Sequence, residues 1–198
     1  MSDRIRLSLW FSTHTGAEML PRLQRAAELL PSETLERGVG EVAVTAVSWA
    51  EAALLEERFE QGVTLEEAMD QLRRFAAGDC VCELELAWLL WVCEPDWRQS
   101  PHALRLSSVG PDFGATTDGQ GNDGHLLVDF GLDEPFLAEL APPNTETRRH
   151  LQANILQLLA YVKKIEQQLR PRALRLWSEG EGNWLERLAQ RLQAADWS

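Results

Sequence analysis

The sequence predicts an α+β (or α/β) fold, a single mixed β-sheet of about six strands flanked by helices and built from residues 1–198 as one globular domain. Three observations carry that expectation. Strictly alternating apolar and polar positions recur near the start, in the middle and late in the chain, as half-buried strands require. Ser/Thr-x-x-Glu boxes precede several stretches of helical period. The elements follow in the order β-α-β-α-α-β-β-β-α-α-β-α, which mixes crossover connections with a central meander. With 198 residues, 44% hydrophobic and 25% charged, the chain can bury about 70% of its unfolded surface and needs no disulfide staples.

The first strand spans residues 4–12, with Ile5, Leu7, Leu9 and Phe11 on one face and Arg4, Arg6, Ser8 and Trp10 on the other. Thr15-x-x-Glu18 then reads as a capping box, but Pro21 inside the pattern moves the expected start of the regular helix to Pro21, with its end at Leu30 before Pro31. Val42, Val44 and Val47 give residues 41–47 the β-branched character of a buried strand. Ser48-x-x-Glu51 and Thr64-x-x-Glu67 predict helices over 49–60 and 65–77, separated by Gln61-Gly62.

From Cys80 to Cys93 the chain alternates again, with Glu83 and Glu85 followed by Leu89 and Trp91 on the second face, as in a long strand that moves from a sheet edge to the interior. Leu84, Trp88 and Trp91 also satisfy a helical period, so a helix over 83–93 competes with it. Alternating segments at 103–109 and 125–130 flank a Gly/Asp/Asn/Thr loop and predict a hairpin or meander with a long connection. Asp133 can cap a short helix at 134–140. Asn144 opens the longest helix, whose stripe runs Leu151, Ile155, Leu158, Val162, Ile165, Leu169 before Pro171. A strand at Ala173–Trp177 and a helix capped by Asn183 complete the order.

The net charge of −12 is unevenly distributed. Residues 51–150 hold 7 basic and 20 acidic groups, a local excess of −13 that repels nucleic acid and anionic lipid and attracts cationic protein surfaces. No uncharged stretch reaches the length of about 18 residues that a membrane helix needs, and a soluble, cytoplasmic protein is expected. Cys80, Cys82 and Cys93 are an odd number with the wrong spacing for a zinc knuckle and read as buried, inert thiols. Only Lys163 and Lys164 accompany 17 arginines, and neither follows a phosphate-loop glycine pattern.

Catalytic spacing is not found. His14, His102, His125 and His150 are scattered in sequence, without the i, i+4 pair of a zinc helix, and no glycine-flanked serine elbow is present. Asp112, Asp118, Asp123, Asp129, Asp133 and Glu134 surround Gly119, Gly121 and Gly124, but Asp123 stands where a calcium loop needs glycine. No cofactor or metal is therefore expected. The positions predicted to bind a partner are Trp97, in a proline-bounded loop, with Asp112, Asp118, Asp123, Asp133 and Glu134.

Small, acidic and without catalytic spacing, the chain is similar in general character to the immunity proteins of bacterial toxin systems, a likeness that rests on no motif and transfers no residue. It implies a non-enzymatic inhibitor that docks onto a basic toxin or effector domain, such as a nuclease. Two other functions compete with it: a metal-dependent hydrolase using the aspartates of 112–133 with His125, and a structural subunit whose helix at 145–170 packs on a copy of itself.

Overall fold

The protein is described by a computed structural model covering residues 3–113, 124–137 and 144–178. In chain order the elements are β1 (Arg4–Trp10), α1 (Gly16–Glu28), α2 (Ser32–Glu36), β2 (Val39–Ala46), β3 (Ala53–Val63), α3 (Leu65–Arg73), β4 (Cys80–Cys93), β5 (Trp97–Val109), β6 (Leu126–Leu132), α4 (Glu134–Leu137), α5 (Thr145–Leu169) and β7 (Ala173–Ser178). The seven strands form one sheet in the order β3-β2-β4-β5-β6-β1-β7.

Every pairing in this sheet is antiparallel, where a mixed sheet was expected. The reason lies in where the crossovers land. The connection from β3 through α3 reaches β4 on the far side of β2, and the one from β6 through α4 and α5 reaches β7 on the far side of β1. Each of these two connections steps over one strand, and the one from β1 through α1 and α2 to β2 steps over three, so strands that run alike are always separated by an odd number of others. The first strand, β1, is inserted late in the sheet: Leu7 pairs with Val128 on one side and Leu176 on the other.

The helices pack on one face. Leu7 and Leu9 of β1, Val42 and Val44 of β2, Leu84, Trp88 and Leu90 of β4, and Leu126, Val128 and Phe130 of β6 are buried there with Met19 and Leu23 of α1, Met69 and Leu72 of α3, and Ile155, Leu158 and Ile165 of α5. The inward stripe of α5 is therefore spent on its own core, and the Tyr161 hydroxyl, on the same helix, donates to the carbonyl of Ala26 in α1 (3.0 Å). The opposite face carries cross-strand charge pairs, Arg4 with Asp129 and Arg105 with Glu85.

Three local expectations are corrected. Residues 53–63 are a strand, not part of a helix at 49–60: the backbone N–H of Glu51 bonds to the carbonyl of Ser48 (3.1 Å), so the would-be capping box makes a turn, and the chain folds back to pair with β2. Pairing with the preceding strand across a short turn overrides the helix preference of Ala-Ala-Leu-Leu-Glu-Glu. Helix α1 starts at Gly16, ahead of Pro21, because Glu18 accepts from the Thr15 backbone N–H (2.9 Å) and pairs one turn on with Arg22 (2.7 Å). Strand β5 starts at Trp97, so the proline-bounded loop is only the turn of a long β4–β5 hairpin. Pro101 is tolerated because β6 pairs only with Arg105–Ser108 and does not reach that part of β5.

Beyond Leu86, which faces Val39 at the start of β2, the free side of β4 has no strand neighbour among the described residues. Asn154 of α5 takes that place. Its carboxamide oxygen accepts from the N–H of Trp91 (2.9 Å), and its nitrogen donates to the carbonyls of Trp91 (2.9 Å) and Pro135 (2.7 Å). Among the described residues no helix is long and apolar enough to cross a membrane.

Candidate functional site

The strands define two ends of the molecule. At one end β1, β2 and β5 finish while β3, β4, β6 and β7 begin. The β2–β3 turn at this end exposes Val47 (55% accessible) and Trp49 (45%), with Leu54 (53%) on the strand that follows and Phe75 (39%) just after α3. Trp49 stands edge-on to Phe113 with ring centroids 5.3 Å apart. Val47 has φ 67°, a left-handed conformation that a β-branched residue adopts only under strain, and its N–H is held by the carbonyl of Asp79 (2.7 Å). Glu51, Asp79 and Asp112, all exposed, stand on the segments that meet at this end, where the N–H of Asp112 bonds to the carbonyl of Gly78 (2.8 Å).

A second cluster lies beside it. His14, in the β1–α1 turn, and His125, just before β6, stack with centroids 4.3 Å apart and planes within 5°. His14 Nε2 meets the carbonyl of Val109 at the end of β5 (2.6 Å), and its Nδ1 meets a guanidinium nitrogen of Arg22 (2.9 Å). The N–H of Phe11 donates to His125 Nδ1 (3.0 Å). The Arg22 guanidinium also lies 4.1 Å from the centre of the Phe11 ring. Burial pushes both imidazoles below the ordinary histidine range, and Arg22 lowers them further.

The other end holds a third aromatic group. His150 of α5 lies 3.9 Å from the ring of Trp91 and 5.0 Å from that of Trp97. Trp97 is thus half-buried against the protein's own surface, and its indole N–H has no hydrogen-bond acceptor among the described residues. His102 lies on β5 opposite Trp88, and burial lowers it too.

Of the predicted partner-binding residues that are described, Trp97, Asp133 and Glu134 share one end of the sheet and Asp112 lies at the other. Asp112 is at the Trp49 end, whereas Asp133 and Glu134 follow β6 at the opposite end, about 20 Å away at the rise of a strand. Asp133 is buried and Glu134 exposed on α4, while Asp118 and Asp123 lie outside the described residues. Asp112 and Asp133, two of the aspartates that the hydrolase reading draws on, therefore do not meet each other at His125. Among the described residues no three His, Cys, Asp or Glu side chains come together as metal donors.

The other acids of the central segment are also dispersed, over β3 (Glu56, Glu57, Glu60), α3 (Glu66, Glu67, Asp70) and the β4–β5 turn (Glu94, Asp96). Cys80 and Cys82 are buried, and burial raises the Cys82 thiol to about 12; Cys93 is partly exposed. The Trp49 patch and the histidine stack were missed because neither has a local signature: each is assembled from segments far apart in the chain. No known protein family, curated protein or solved structure matches the chain.

Proposed function

We propose that this is a non-enzymatic binding protein that docks onto a basic protein, in the manner of an immunity protein blocking a toxin or effector domain, and that it does so through the Trp49 end of the sheet. The observation that carries this reading is the exposed, strained Val47–Trp49 turn, with Glu51, Asp79 and Asp112 exposed on the same and adjoining segments. An exposed tryptophan inside a polar rim has the make-up of an interface hot spot, and a rim of one sign selects partners of the other. Strain in a surface turn that no core packing demands is a further mark of a functional segment. The overall charge of −12 adds long-range attraction toward a cationic partner.

The test is a binding titration against the protein encoded beside this one. Trp49→Ala should weaken the complex about tenfold or more, since truncating a hot-spot tryptophan costs about 2 kcal/mol. Replacing Glu51, Asp79 and Asp112 with amides should flatten the loss of affinity between about 50 and 300 mM salt. Leu156→Ala, an exposed position on α5 (58% accessible), serves as the control and should change nothing. Binding that ignores Trp49 and the three carboxylates alike would remove this end of the sheet as the docking surface.

A further inference from the structure

The stacked histidines assign their own protonation states. The Val109 carbonyl can only accept, so His14 carries its proton on Nε2. The Arg22 guanidinium can only donate, so His14 Nδ1 is an acceptor. The Phe11 backbone N–H can only donate, so His125 Nδ1 is an acceptor as well. Adding a proton to either ring at Nδ1 sets N–H against N–H and places a cation on a stacked neighbour 4.3 Å away, beside the fixed charge of Arg22.

The β5–β6 and β1–β6 ladders finish here, at Ser108–Leu126 and Leu9–Leu126, and the histidine contacts tie the β1–α1 turn and the start of α1 onto that common end. His125 N–H also bonds back to the carbonyl of Leu9 (2.8 Å), and Val109 N–H to the carbonyl of His125 (3.0 Å), so both ends of the segment between β5 and β6 are anchored at the stack. We propose that the His14–His125 stack is an acid-sensitive clasp, closed only while both rings are neutral, that fastens the two ends of the 110–125 segment to the start of α1.

The charged groups acting on the pair come from α1: Glu18, which favours protonation of His14, and Arg22, which opposes protonation of both rings. The β5 side offers only the Val109 carbonyl. Asp79 and Asp112 lie at the same end of the sheet but do not figure among the groups acting on either imidazole. Burial and Arg22 therefore outweigh Glu18, and both rings are neutral at pH 7.

Folding is linked to this state with a definite sign. The unfolded imidazoles take up protons as pH falls through 6.5, while the folded pair resists until a lower pH. The clasp thus contributes its full stability above that value and loses it on acidification. This inference does not rest on the docking reading, since its test uses the free chain.

The experiment follows the imidazole resonances and the amide exchange of Phe11 in the full chain by NMR, between about pH 7.5 and 5.5. Both rings should titrate below 6.5, and protection of the Phe11 amide, corrected for intrinsic exchange, should fall about tenfold while β4 and β5 amides keep theirs. In His125→Asn the carboxamide oxygen takes the place of Nδ1 and does not titrate, so Phe11 protection should become independent of pH. Should that variant not fold, the wild-type titration decides alone. Either imidazole titrating at or above 6.5, Phe11 protection that stays constant, or an equal loss in β4 overturns the clasp.

Discussion

At the scale of single residues, Asn154 shows how much one side chain carries. It is fully buried, and its carboxamide satisfies three main-chain groups on two other elements. Asn154→Ala would leave the Trp91 N–H and two carbonyls without partners in a dry site, and we expect a loss of about 2–4 kcal/mol. A urea titration should show this as a lower midpoint at unchanged slope. A loss below about 1 kcal/mol would mean that water replaces the amide. Nothing in the sequence marks Asn154: it stands in a helix whose apolar stripe is legible, and its partner is 63 positions away. The histidine stack is hidden for the same reason, since Phe11 and His125 are 114 positions apart. Spacing rules read neighbours along one element and are blind to pairs that only the sheet order creates.

Elements were legible where one face alone is buried. The alternation in β1 and in Cys80–Cys93 leaves a strand as the arrangement that puts Leu7, Leu9, Leu84 and Trp88 on one side, and the competing helix over 83–93 is not formed. Asn144 caps α5 as its position predicts, its side chain accepting from the Thr147 N–H (2.8 Å). The opposite case is β3, an outer strand whose Leu55 and Phe59 are only partly buried, so its period-two signal is diluted by exposed charge. Helix α1 is longer than its sequence predicts because the Thr15 box outweighs Pro21. That proline is exposed and lacks the N–H that would bond to the carbonyl of Ala17, so it weakens the helix without packing in return. Pro21→Ala should therefore raise thermal stability, by about 1–2 kcal/mol after allowing for the looser unfolded chain. A lower melting temperature would show that the ring matters for folding in some other way.

For the molecule as a whole, stability should respond to pH through two opposed groups. On the sheet face away from the helices, burial raises the Glu83 carboxyl, reinforced by Glu41 and Glu85 and opposed by the Ser107 hydrogen bond and Arg105. Above the ordinary value of 4.5 the unfolded carboxyl ionises first, so its burial costs stability as pH rises. The histidine stack costs stability as pH falls below 6.5. Glu83→Gln should consequently gain stability over the wild type as pH rises from about 4, below the ordinary value, to about 8; an equal difference at both ends of that range would place the effect in packing, not charge. The sheet order also has a consequence for biosynthesis. A ribosome delivers β1 first, yet both of its neighbours, β6 and β7, emerge only after most of the chain has been made. The leading strand has to wait as an unpaired guest while the β2–β6 meander assembles, and only then can it slot home. Seating of β1 therefore depends on β6, made more than a hundred residues later, and β7, whose strand partner is β1, can add to the sheet only after β1 is in place.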